Sequence, residues 1–230
     1  MSNSAVFQTL PNMSINYMDI INKIQDMVSD GSASSYLPRA YMADARMTAG
    51  YASQLTVLAK FLSNPKAPSL ETTFATGTSM STINLHPLSR GTVRLNLDSP
   101  LDIPVVDYRT GSNPVDFDIY ITHLRYLRRL NNTETMKSLG AFEAPPTQGV
   151  KDDYDSLVQY IRDTMVFSFM HACCTSAMMP EEKGGVVGPD LKVHGVEGLR
   201  VVDMSILPFL PSSHLSSTAY AVGEKVCLRS

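Results

Sequence analysis

Tryptophan is absent from the 230 residues, cysteine occurs three times, and no apolar run approaches the roughly 18 residues that a membrane-spanning helix needs. The three cysteines, Cys173, Cys174 and Cys227, are too few and too unevenly placed for a disulfide framework or a zinc site. Neighbouring side chains leave a strand or turn in different directions, so Cys173 and Cys174 are expected as free thiols in a reduced interior. Metal ligation is not expected. A net charge of −3 gives no basic field, which excludes nucleic acid as an expected partner. The segment from Met1 to Gln8 has no basic stretch leading into an apolar one, so a soluble cytoplasmic protein without membrane contact is expected. No repeat or low-complexity segment is present.

What is there suits one packed domain over residues 1–230, with 1–65 as a helical N-terminal part: 43% hydrophobic and 18% charged residues describe a globular chain. Thirteen methionines give an adaptable interior, compatible with a bulky apolar ligand. Ile15, Met18, Ile21, Ile24 and Val28 recur at helical spacing until Asp30-Gly31, and a second such pattern runs from Tyr41 to Leu62, ended by Asn64-Pro65. Leu70–Thr78, Met80–Leu85 and Gly91–Leu97 have the alternation of antiparallel strands. Helices are expected at Asp116–Leu130, Asp152–Thr164 and Ser217–Leu228, and short strands at Val166–Met170 and Leu199–Val202. Strands and helices are segregated rather than alternating, which is the α+β class: an antiparallel β-sheet with helices packed on it.

Two stretches deliver a histidine each at a chain turn. One is Met170-His171-Ala-Cys-Cys-Thr-Ser-Ala-Met-Met-Pro180; the other runs from Gly198-Leu-Arg-Val-Val-Asp203-Met-Ser through Pro208 and Pro211 to His214. Prolines fix the backbone on one side of His214 and a helix start fixes it on the other, as a positioned acid or base requires. His194, His86 and Tyr220 are weaker candidates.

Together these stretches resemble the C-terminal signature of the glucose–methanol–choline (GMC) flavin oxidoreductases. His171 precedes a Thr/Cys/Met-rich turn containing Thr175 and Met178. The run Val193-His-Gly-Val-Glu-Gly-Leu-Arg-Val-Val-Asp203-Met-Ser205 follows, and then the proline loop and His214. The segment His86-Pro-Leu-Ser-Arg-Gly-Thr-Val-Arg-Leu95 is also similar, with His86-Pro87 as a structural turn. The resemblance implies the substrate-binding domain of that family, with His171 and His214 as an acid/base pair. It also implies Cys174, Thr175, Met178 and Phe209 at the substrate, and Asp203 and Met204 against FAD if FAD binds. Cys174 stands where the family places a glycine.

The G-x-G-x-x-G loop that holds the FAD pyrophosphate in that family does not occur in these residues. The resemblance is therefore to the substrate-binding portion lacking the FAD-binding portion, and the leading expectation is chemistry that moves protons without a cofactor. That means a cyclase, isomerase or dehydratase acting on a hydroxylated, largely apolar secondary metabolite. An FAD-dependent alcohol oxidase or dehydrogenase fragment needing a separate flavin domain, and a non-catalytic metabolite-binding remnant, are the alternatives. A homodimer is expected through the face that a missing flavin domain would leave open.

Overall fold

The computed structural model describes residues 4–75, 79–168 and 171–227. The fold is α+β, with helices against a small antiparallel sheet. Its sheet has the order β1 (Ser4–Gln8), β2 (Leu70–Ala75), β3 (Ser79–Asn84), with Glu71 of β2 opposite both Phe7 and Ile83. The N-terminal part is thus not wholly helical: it supplies the first strand.

A short helix α1 (Leu10–Met13) leads to α2 (Tyr17–Ser29), where Ile20, Ile21, Ile24 and Met27 are buried at the spacing of one helical face. Gly31, at φ 76°, turns the chain after α2. Asp44 then caps α3 (Ala45–Leu62) by accepting from the Arg46 amide. Leu10, Ile24, Leu55, Leu62, Leu70 and Ile119 form the main core, where each fully buried aliphatic side chain stabilises by about 1.5–3 kcal/mol. Ile119 belongs to α4 (Val115–Asn131), whose other side takes Leu157 and Ile161 of α6 (Tyr154–Thr164). Between them lies the short helix α5 (Glu134–Ser138).

Three expectations are corrected. The Gly91–Leu97 strand shrinks to β4 (Thr92–Arg94), which leaves the main sheet and pairs with β5 (Val105–Asp107) as a separate ribbon. Val166–Ser168 is not a strand, because Ser168 sits at φ 58°, outside extended geometry. The rest of that segment, and Thr76–Thr78 of the expected strand 70–78, lie outside the described residues. Leu199–Val202 makes only an isolated bridge, Arg200 to Lys192. The loop region there is held instead by the buried trio Val187, Leu191 and Ile206, before α7 (Leu215–Cys227) closes the described chain.

The ribbon leaves apolar side chains in water, with Leu101 at 100%, Ile103 at 86% and Leu97 at 83% exposure. Phe142 and Phe167 are also exposed.

Candidate active site

The turn after β3 positions the site. Asp116, in the first turn of α4 and 2% exposed, accepts from the amides of Leu88 and Ser89 and from the Ser89 hydroxyl. Burial raises its carboxyl above the usual range in spite of these donors. Arg90 donates to the carbonyls of Pro87, Leu88 and Ser89 and to Gln54 of α3. Gln54 in turn donates to the Pro208 carbonyl at 2.6 Å. His86 meets the Ser212 hydroxyl through Nε2 at 3.0 Å, and that hydroxyl donates to the Pro68 carbonyl at 2.7 Å. The proline loop before His214 is therefore tied to α3, to the β3 turn and to the start of β2.

His214, just ahead of α7, meets Oε1 of Glu71 through Nε2 at 3.0 Å and Nε2 of His171 through Nδ1 at 3.2 Å. Glu71 is 1% exposed, whereas the His214 side chain is 49% exposed, so a buried carboxylate anchors an imidazole at the surface. With Nε2–H of His214 donated to the carboxylate, its Nδ1 accepts from His171 while neutral and donates to His171 once protonated. Glu71, His214 and His171 thus form one hydrogen-bonded line.

His171 opens into a cavity of about 1330 Å³, walled by apolar side chains that include Phe74, Met80, Leu124 and Phe209. Cys174, Thr175, Asp203 and Met204 also line it. The amides of Cys174, Ser176 and Met178 donate to the carbonyls of Met204, Ser205 and Ile206, which keeps the two histidine-bearing stretches in register. Asp203 is not a free acid here: its carboxylate caps the 3-10 turn Met204–Ile206 by accepting from the Ser205 amide. Tyr120, whose hydroxyl burial pushes up to about 12, lines the cavity as a neutral phenol.

Several sequence-based assignments move. Met178 packs beside Val187, Leu191 and Ile206 and does not line the cavity. His194 turns to the Met179 carbonyl, Tyr220 is 82% exposed and does not line the cavity, and His86 is a buried tie with its imidazole held down to about 4, chiefly by burial. Cys173 and Cys174 are bonded to each other, contrary to the expected free thiols. Adjacent side chains meet here because the chain turns sharply, with Cys174 at φ 77°, the left-handed region a glycine would favour. Glu71 was missed altogether. Its signal was an acid inside the otherwise uncharged strand Leu70-Glu-Thr-Thr-Phe-Ala.

Two histidines bonded to each other and to a buried glutamate, one of them lining a largely apolar cavity, are carried by an α+β domain. The chain belongs to the GMC oxidoreductase family, whose C-terminal model matches residues 87–223. It is similar to Dehydrogenase xptC of Emericella nidulans, 40% identical over 150 residues, which are 65% of this chain and 24% of that protein. Among solved structures it resembles a fungal aryl-alcohol oxidase, with TM-score 0.92 and 55% identity over 96% of this chain and 37% of the other. An FAD-dependent oxidoreductase from Chaetomium thermophilum gives TM-score 0.88 and 36% identity over the same shares. The chain spans about a quarter of the length of such curated relatives.

Proposed function

We propose that this chain is the substrate-binding part of an FAD-dependent alcohol oxidoreductase acting on a largely apolar, aromatic alcohol. The observation that carries this is the Glu71–His214–His171 hydrogen-bonded line, whose His171 end lines an apolar cavity. His171 takes the hydroxyl proton of the substrate, and His214 receives it across their 3.2 Å contact as a cation held by the Glu71 carboxylate. Phe209 and the methionine and leucine walls orient the ring and exclude water.

The residues that would face a flavin ring lie on the rim of the cavity that His171 lines. Cys174, Thr175, Asp203 and Met204 line the open cavity together with His171, while among the described residues no glycine loop opens a helix after a strand. The chemistry a bound flavin supplies is acceptance of the hydride from the carbinol carbon. The aryl-alcohol oxidase and dehydrogenase relatives favour this reading. The exposed apolar ribbon is, in this reading, the seat of the flavin-bearing region, with a second copy of the chain as the competing occupant; light scattering across a dilution series distinguishes them.

The second reading is proton transfer alone, as in a cyclase, isomerase or dehydratase working on a hydroxylated metabolite. It is favoured by the completeness of the acid–base relay within this one chain. The test is an absorbance spectrum with and without added FAD, followed by anaerobic benzyl alcohol. Flavin bands that bind and then bleach, about 10²-fold more slowly in His171→Ala and His214→Ala, support oxidation. No bleaching by benzyl alcohol when a flavin-bearing region is supplied together with this chain overturns it. Flavin-independent turnover that both alanine variants abolish supports the second reading.

A further inference from the structure

Cys173 and Cys174 follow His171 by two and three residues and line the same cavity, joined to each other by a disulfide. We propose that this pair is a thiol–disulfide exchange site, with small dithiols as its reaction partners, and that it gives the substrate cavity two covalent forms. The inference needs no flavin and stands apart from the choice of reaction.

Both cysteines are only part-buried and border the cavity, so a small reductant entering it reaches sulfur. A thiolate of the reductant attacks one cysteine sulfur, the Cys173–Cys174 bond breaks, and a mixed disulfide forms. The second thiol of the reductant attacks that bond and leaves as a cyclic disulfide. Two electrons and two protons have then passed to the pair, which becomes a dithiol.

The bonded form restrains more than sulfur. Cys174 is held at φ 77°, where a residue with a β-carbon stays only if its surroundings enforce it. Its amide also donates to the Met204 carbonyl at 3.2 Å, beside the flavin-side residue Asp203. Opening the bond removes the covalent restraint from this residue. The chain between His171 and the Met204–Ile206 turn then relaxes, so the redox state of the pair is felt at the His171 ring.

The experiment uses the folded chain in a Cys227→Ser background. Iodoacetamide followed by intact mass measurement is expected to add no adduct before dithiothreitol and two after it. The His171 ring resonances, assigned through His171→Gln, are expected to shift between the two forms, and Cys173→Ser is expected to abolish any response to dithiothreitol. Two adducts without reductant overturn the proposal, as do His171 resonances that are identical in both forms. Neither result depends on flavin or turnover, so failure here is separate from failure of the proposed function.

Discussion

Lowering the pH from 7 toward 4 is expected to remove much of the stability of this fold through His86 and His123. The two residues are 2% and 0% exposed. Thr72 gives its hydroxyl proton to Gln8 at 3.0 Å, so its oxygen accepts from Nε2–H of His123 at 2.8 Å. That leaves Nδ1 of His123 buried without a partner, and protonating it would bury an unmatched cation. Burial lowers both imidazoles from 6.5 to about 4; at His86 it outweighs the backbone carbonyls of Pro68 and Leu210, which pull the other way. Because the folded values are depressed, the unfolded chain binds protons first. The stabilisation is complete above 6.5 and is lost as the pH falls to about 4. At about 1.4 kcal/mol per pH unit, that span is worth about 3 kcal/mol for each ring, against the 5–15 kcal/mol typical of a whole domain. Asp116 has the opposite sign: its raised carboxyl costs stability at neutral pH, and protonation relieves part of that as the pH falls. Urea denaturation across the range should show stability falling with acid, and His123→Gln should remove about half of the slope. An unchanged slope in His123→Gln would refute the account.

Glu71→Gln keeps the shape of the anchor and removes its charge, so proton uptake by the histidines should slow about 10- to 100-fold, the loss of a charge-assisted hydrogen bond. The flavin-bleaching or turnover assay reads this, and a wild-type rate would take Glu71 out of the relay. Gly50→Ala would place a β-carbon 2.1 Å from the Lys183 carbonyl oxygen, where α3 packs on the 181–183 turn. Overpacking of this kind costs about 1–3 kcal/mol, which thermal unfolding should report as a drop of several degrees.

The long helices were legible because their apolar spacing and caps agree: Asp44 and Asp153 stand where the sequence breaks, and each accepts from the first turn it precedes. The strand β1 was not. Four of its five residues are exposed, so Ser4–Gln8 has no alternation for burial to impose, and its place is set by pairing with a segment more than sixty residues away. Leu199–Val202 failed in the opposite way: β-branched and apolar, it finds only one bridge partner. His171 and His214 were recognisable because each lies within a patterned run. Glu71 was harder, since nothing local tells a buried acid from a solvated one until His214 arrives from 143 positions away. The Cys173–Cys174 bond depends on a left-handed φ that no sequence spacing encodes.

The acid sensitivity and the site share one piece of structure. His86, Asp116 and Arg90 surround a single turn, and the bonds that bury them, from His86 to Ser212, from Asp116 to Leu88 and from Arg90 to Gln54 and so to Pro208, also hold the loop ahead of His214. Burying an imidazole and a carboxylate here is unfavourable for stability alone, as their displaced pKa values record. Apolar residues at these positions would fold more stably at low pH but would leave the loop without directional ties. Such ties are what hold two imidazoles from distant segments 3.2 Å apart, one of them half exposed, in line with a buried carboxylate. The share of the stability lost to acid that His86 carries is thus the thermodynamic counterpart of a fixed His214.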